Sequence, residues 1–472
     1  MWKYFGKRLW ACLEKMGRYE KESFLEIIFN RIITMCKIMR KKENYKMKVV
    51  IMAGGKGTRI QSIVSDIPKP MIPINGVPVL EIELCLLRDQ GFNDFIFTVG
   101  YLADCIVEYF GDGSRWNVHI EYYRENNPLG NAGALFKLNI AEDFLFIIGD
   151  AIFDIDFNRM LFYHRQKGGL VTLFTHANAH PYDSSVVITD KNGVVLSWLN
   201  KEDKRPQYYK NRVNAGIHII SPKVLEMSGI NPAKVGKEID GKVFKVDLDR
   251  QLLQPLCGTG KMFSYNSPEY VKDMGTPERF YQVEQDLKNG IIKAKNLKNK
   301  QKAIFLDRDG TINHYVGFLH RAAEFELVEN SAEAIKMINA SNYLAIVVTN
   351  QPVIARGETT FKELEEIHNK METLLGQKGA YLDAIYFCPH HPHSGFEGEV
   401  SGLKIDCDCR KPKPGMLFKA AKDFNIDLFS SYMIGDSDID IQAGINAGCK
   451  SIRIEEGGLL QAVNKILKEN NS

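Results

Sequence analysis

The sequence predicts an α/β protein of two domains, and three observations carry that expectation. The chain has 472 residues, which is more than a single core ordinarily serves. Apolar, β-rich runs alternate with amphipathic helical stretches from residue 48 to about 288, the pattern of a layered α/β fold. After a break, a second alternation opens at Ala303 with the strand AIFL, and its later strands at 344–349 and 432–435 also end in polar residues. Hydrophobic residues make up 44% and charged residues 25%, enough apolar material for two cores and too much for a disordered chain. The 61 Lys and Arg against 58 Asp and Glu leave a net charge of +3, which makes no case for a nucleic-acid binder.

Residues 1–46 concentrate the basicity, with twelve basic and five acidic side chains. They space their apolar residues helically, yet no apolar run approaches the roughly 20 residues that cross a bilayer. Charges interrupt every stretch that could serve as the core of a signal peptide. The segment is expected to be a basic helical or poorly ordered leader, either accessory or lying on a membrane surface, with Met47 a natural start before the strand-to-glycine run MKVVIMAGG. Nine cysteines in a chain this long do not make a disulfide scaffold, so a reducing cytoplasm is expected.

The first domain, 47–288, opens with the strand VVIM running into Ala53-Gly54-Gly55-Lys56-Gly57-Thr58-Arg59. Its glycines let backbone N–H groups approach an oxyanion, or simply make a tight turn. It is no P-loop, and Ile60 stands where a dinucleotide fingerprint needs a third glycine. Ten residues beyond Arg59 comes Pro68-Lys69-Pro70, a lysine whose local backbone is fixed on both sides. With these motifs the region resembles the sugar-phosphate nucleotidyltransferases, and the likeness continues through NPLGNAG (127–133), Gly149-Asp150, Asn214-Ala215-Gly216 and DMGTP (273–277). The resemblance implies a Rossmann-like domain in which a sugar 1-phosphate attacks the α-phosphorus of a nucleoside triphosphate and expels pyrophosphate. It implies that Gly54, Gly55, Gly57, Thr58 and Arg59 hold the nucleotide and that Lys69 holds the sugar phosphate. Gly130, Lys201, Asn214 and Gly216 would line the acceptor pocket, and Asp150 with Asp273 would bind Mg²⁺. Hard carboxylate oxygens suit that ion. Asn200 departs from the acidic residue usual before this lysine. The alternatives are a strand-end turn role for Asp150, a helix cap for Asp273 and a solvated charge for Lys201.

Residues 289–302 are Lys- and Asn-rich with little to bury, and read as a linker. In the second domain, 303–472, Asp307-Arg308-Asp309-Gly310-Thr311 follows a strand and places two carboxylates two residues apart, suited to nucleophilic attack and proton transfer. Thr349-Asn350-Gln351, Lys411 and Gly435-Asp436 with Asp440 follow in order. These four pieces resemble the haloacid dehalogenase superfamily of phosphatases. That likeness implies a second Rossmann-like domain with Asp307 as nucleophile, Asp309 as acid and base, and Thr349 and Lys411 on the phosphoryl group. Asp307, the backbone carbonyl of Asp309, and Asp436 would hold Mg²⁺, with Asp440 either supporting that site or capping a helix.

Cys388, His390, Cys407 and Cys409 offer three thiolates and one nitrogen in two closely spaced pairs, a set suited to structural Zn²⁺, with His391 and His393 as rival ligands. The zinc loop and the run AIFLDRDGTIN resemble most the heptose 1,7-bisphosphate 7-phosphatases, with the histidinol phosphatases as the rival. The heptose likeness implies that Asn350, Arg356 and Arg410 contact the substrate, although Pro352-Val353 replaces a usual small pair. A 7-phosphatase makes heptose 1-phosphate, the kind of acceptor a nucleotidyltransferase consumes, so a bifunctional enzyme of nucleotide-heptose synthesis is expected. The first domain looks most like heptose 1-phosphate guanylyltransferases, which points to GTP. Mannose or another hexose 1-phosphate beside an unrelated phosphatase, and a degenerate transferase serving as a regulatory module, are the other readings.

Overall fold

Strand Val49–Met52 is apolar at every position, as a parallel strand covered on both faces must be. The computed structural model, which describes residues 47–55, 67–149 and 151–469, places it inside a nine-stranded mixed sheet. Asp94–Val99 and Phe144–Ile148 flank it in parallel, and His119–Arg124 continues the parallel side. Beyond Phe144–Ile148 the sheet turns antiparallel through Val213–Ile220. The chain leaves Val49–Met52 toward one edge and returns on its other side, so strand order reverses there. Such a switch point opens a crevice at the carboxyl ends of the strands, where Gly54 and Gly55 stand.

The second sheet has five parallel strands in the order Ala384–Cys388, Tyr343–Asn350, Lys302–Leu306, Tyr432–Gly435, Lys450–Arg453. Alternate side chains serve opposite cores. Ile304 and Leu306 pack with helices Ser331–Asn339 and Leu459–Glu469, while Ala303 and Phe305 pack with Gly415–Phe424 and Asp438–Ala447. This order brings Asp307, Thr349, Cys388 and Asp436 to one end of the sheet. The remaining helix, Phe361–Gln377, begins with a reciprocal cap between Thr360 and Glu363.

Both sheets belong to one compact unit that starts at Met47; the expectations for residues 1–46 lie outside the described residues. Among those described, no helix is long and apolar enough to cross a membrane. The connector is packed rather than solvated: it forms helix Ile291–Ala294 and buries Lys295, Asn296, Leu297 and Gln301. The amides that suggested a polar tether saturate buried backbone and acid groups. Asn296 Nδ2 donates to Asp154 at 2.6 Å, and Gln301 Nε2 donates to the Ala294 and Asn296 carbonyls.

Glu269 ties the connector to the first sheet by accepting the N–H groups of Asp156 and Leu297 at 2.7 and 2.9 Å. Burial pushes its carboxyl up to about 7, against those hydrogen bonds. A raised folded-state value means that the contribution is complete at pH below about 4.5 and is lost as pH rises through about 7. Glu269→Gln keeps an acceptor and cannot ionise. Between pH 5 and 8 this variant should lose less stability than the native chain, by on the order of 3 kcal/mol in thermal unfolding. Parallel melting curves for the two proteins would sink the assignment.

Candidate active sites

In the first half, Lys69 opens the short helix Lys69–Met71 between Pro68 and Pro70. Asp273 ends strand Tyr270–Asp273, and its register partner is Ala151. Asp150, Gly57, Thr58 and Arg59 lie outside the described residues. The Asp273 carboxylate is not bare: Arg279 Nη1 lies 2.8 Å from both of its oxygens, and the Gly275 N–H donates to it. Burial raises that carboxyl, but Arg279, the Gly275 N–H and Lys69 together hold it below its usual range. Thr276, rather than Asp273, caps helix Pro277–Lys288.

Asp273 and Arg279 border a cavity of about 370 Å³ that Asp183, Lys201, Asp249 and Arg250 also line. Lys201 lies 3.8 Å from Asp183, and Arg279 reaches the same carboxylate at 3.4 Å. Burial and the neighbouring Asp247 push Asp249 up to about 6. Asn200 binds Asp203 through its backbone N–H and its side chain, so a carboxylate still stands beside the position where the sequence lacks one. Asn214 accepts the Gly216 N–H, which fixes that turn. Gly130 has φ +84°, and a Cβ there would fall 2.3 Å from the Val246 carbonyl. Its place is a backbone crossing that seats the 246–249 segment on the cavity. Asp183, Asp249 and Arg279 were not found from sequence, because each reaches the cavity from a different part of the chain.

In the second half, Lys411 Nζ sits 2.7 Å from Asp307 and 2.5 Å from Asp440, with the lysine and Asp440 both buried. Burial disfavours the ammonium, yet the two carboxylates hold its proton affinity above the usual value. Oxygens of Asp307, Asp436 and Asp440 lie within 4.8 Å of one another, close enough to share a cation. Asp440 meets Lys411 with one oxygen, while its other oxygen accepts the Ser437 N–H and caps Asp438–Ala447. Gly310 has φ +76° and lies so close to Asp436 that a Cβ would come 2.3 Å from its Oδ2.

The Asp309 carboxylate is not part of that close set of oxygens and is held by other partners. Arg308 grips both of its oxygens at 2.9 Å, Asn313 donates at 3.0 Å, and Gln351 donates at 2.9 Å. Burial works against ionisation, but Arg308 and these hydrogen bonds keep the carboxyl below its usual range. Gln351 also donates to Thr349. Asn350 holds the Lys411 backbone with its amide, donating to the carbonyl and accepting the N–H, both at 3.0 Å. Arg410 donates to the His390 carbonyl through Nη1. Arg356 is clasped between the rings of Phe318 and Phe396, at 4.0 and 4.3 Å.

Cys388, His390, Cys407 and Cys409 converge, with Sγ–Sγ separations of 3.2 to 3.5 Å and His390 Nδ1 3.3 Å from Cys409 Sγ. All four donors lie within 4.8 Å of one another and no thiol is in a disulfide. His391 is turned outward to the His393 carbonyl.

The nucleotidyl transferase family model matches residues 48–290, and a HAD-hydrolase-like model matches residues 408–464. The chain is 43% identical over 158 residues to the D-glycero-β-D-manno-heptose-1,7-bisphosphate 7-phosphatase of Pasteurella multocida, covering 34% of this chain and 83% of that protein. It is 38% identical over 196 residues to the UTP–glucose-1-phosphate uridylyltransferase of Synechocystis, covering 38% of this chain and 50% of that protein. Thus the chain spans only half the length of the second relative. The crystal structure of HddC from Yersinia pseudotuberculosis is 26% identical, covering 51% of this chain and 99% of that one with a TM-score of 0.43. This chain belongs to the nucleotidyl transferase family over residues 48–290 and joins to it a phosphatase half of the family that includes the heptose-1,7-bisphosphate 7-phosphatases.

Proposed function

We propose that the phosphatase half removes the 7-phosphate of D-glycero-D-manno-heptose 1,7-bisphosphate and that the transferase half joins a nucleoside monophosphate, GMP from GTP, to the resulting heptose 1-phosphate. The carrying observation is the Asp307–Lys411–Asp440 cluster beside an Asp309 held by Arg308, Asn313 and Gln351. It supplies an attacking carboxylate and a separate proton carrier.

Asp307 attacks phosphorus while the bond to the sugar oxygen breaks, and Lys411 with Thr349 holds the phosphoryl oxygens. Phosphate entering beside Asp309 adds negative charge and raises the proton affinity of that carboxyl, which then protonates the leaving oxygen. Asp309 next takes a proton from water as the water attacks phosphorus, the bond to Asp307 breaks, and inorganic phosphate leaves. Four carboxylates face two cations, Lys411 and Arg308, so the donor set fits a divalent ion held by Asp307, Asp436 and the Asp309 carbonyl. Mg²⁺ bound there would offset repulsion between carboxylate and phosphate. Three thiolates and a histidine nitrogen within 4.8 Å of one another fit structural Zn²⁺.

In the transferase half, Lys69 and Arg59 would hold the two reacting phosphates together, and Lys201, Asn214 and Gly216 would orient the sugar. Asp273 with Asp150 would carry a second Mg²⁺ once Arg279 releases the carboxylate to it. Guanine preference rests on the sequence resemblance alone, and the heptose acceptor on the phosphatase relatives. A 7-phosphatase yields a heptose 1-phosphate that needs a matching nucleotidyltransferase.

The test is one incubation of the full chain with the bisphosphate, Mg²⁺ and all four nucleoside triphosphates, read by mass spectrometry. GDP-heptose is expected. UDP-heptose would replace the guanine assignment, and phosphate release without any nucleotide-sugar would overturn the consecutive scheme.

A further inference from the structure

Helix Phe361–Gln377 carries a stripe at positions 368, 372 and 376, one helical face by its four-residue spacing. The lower part of this face docks on the transferase half. Thr373 Oγ1 accepts the Tyr209 N–H at 2.9 Å and donates to the Tyr209 carbonyl at 3.1 Å. Gly376 lies against Pro181 so closely that a Cβ would meet its ring at 2.8 Å. The buried Glu372 carboxylate, raised by burial, is opposed by the charges of Lys210 and Arg212 and by the Asn211 N–H. Lys370 adds its ammonium over the Tyr208 ring.

The upper part of the same face reaches the phosphatase centre. His368 is buried, and its Nε2 lies 3.4 Å from Nη1 of Arg308, a side chain with no exposure. Arg308 spends Nε and Nη2 on Asp309 and shares Nη2 with Gln351 Oε1 at 3.1 Å. Nη1 is the nitrogen left to be fixed from behind. Burial, together with the charges of Arg308 and Lys210, holds the His368 ring neutral, so Nε2 can accept that N–H.

We propose that His368 is a positioning residue for the phosphatase: seated on a helix anchored to the transferase half, it fixes Arg308, which in turn fixes the Asp309 carboxylate that moves the proton. This deepens the reading of Asp309 as the proton carrier and rests on it. Its consequence is that the transferase half supplies the platform for phosphatase chemistry, through one helix.

The experiment uses the full chain and p-nitrophenyl phosphate, whose phenolate leaves without needing a proton. Attack by Asp307 then proceeds even when Asp309 is misplaced, while hydrolysis of the aspartyl-phosphate still needs Asp309 to deprotonate water. His368→Leu should therefore release about one equivalent of p-nitrophenolate rapidly and then turn over roughly 10- to 100-fold more slowly than the native chain, the usual cost of losing an outer partner. His368→Gln, whose amide oxygen can accept from Arg308, should restore most of the steady rate. Pyrophosphate release by the transferase half should be unchanged in both variants. An initial burst that shrinks in proportion to turnover would mean only fewer folded molecules and would overturn the proposal, as would unchanged turnover or a glutamine variant no better than leucine. If the native chain releases phosphate from neither this ester nor the heptose bisphosphate, the phosphatase reading itself fails, a result distinct from any of these.

Discussion

Asp307→Asn is expected to lower phosphate release from heptose 1,7-bisphosphate by roughly 10⁴-fold or more, the scale seen when a covalent nucleophile is removed. Pyrophosphate release from heptose 1-phosphate and GTP should stay at the native rate. The substitution keeps shape and an oxygen that can face Lys411, while Asp440 still pairs with that lysine at 2.5 Å. The buried ammonium is therefore not stranded, and the protein should remain folded. What disappears is the charged oxygen that attacks phosphorus and one donor of the cation set. Colorimetric phosphate and coupled pyrophosphate assays on one preparation decide the matter. Loss of both activities would show that the halves do not work independently, and retained phosphate release would remove Asp307 as nucleophile.

The chemistry on the second sheet could be read from sequence because parallel strands deliver their next residues to one end, and Asp307, Thr349 and Asp436 each follow an apolar run directly. Gln351 was visible in the same way, as the last letter of a strand-end triplet, but its bonds to both Asp309 and Thr349 emerge only in three dimensions. Arg308 sat inside the recognised motif and passed as filler, since nothing local shows that its side chain folds back on its neighbour. His368 gave no signal: a histidine on the apolar face of a helix reads as packing until Arg308 is seen behind Asp309. The connector misled for a related reason. Asn and Lys mark solvated tethers by composition, yet Asn296 and Gln301 are buried because the chain there has backbone groups to satisfy, and amides satisfy them.

The two halves differ in how finished their sites are. Lys411 is already placed against Asp307, whereas Asp273 is occupied by Arg279 across both oxygens. A cation bound at Asp273 would compete with the Arg279 Nη1 shared by both oxygens, and Arg279 has a second carboxylate, Asp183, within 3.4 Å to receive it. That alternative partner lowers the cost of the exchange, because the arginine is never left without a counter-charge.

Cys407→Ser should lower the zinc content of the purified chain and slow phosphate release roughly 10- to 100-fold, with the transferase activity intact. The reason lies in the four residues that follow the thiol. Cys409 completes the Cys/His cluster, Arg410 donates to the carbonyl of His390 in that cluster, and Lys411 then reaches Asp307. The cluster thus sets where the polypeptide enters the site, and Asn350 clamps the Lys411 backbone from the opposite side. Losing one thiolate weakens the metal bond that fixes the first of these supports and leaves the second, so activity should fall without vanishing. A zinc-selective chelator applied to the native chain, with Mg²⁺ kept in the assay, should reproduce the loss, since structural zinc sites and their folds are linked. Elemental analysis beside the phosphate assay separates the outcomes. Undiminished zinc would eliminate this ligand set, while zinc loss with full phosphatase activity would show that Asn350 alone holds Lys411 in place.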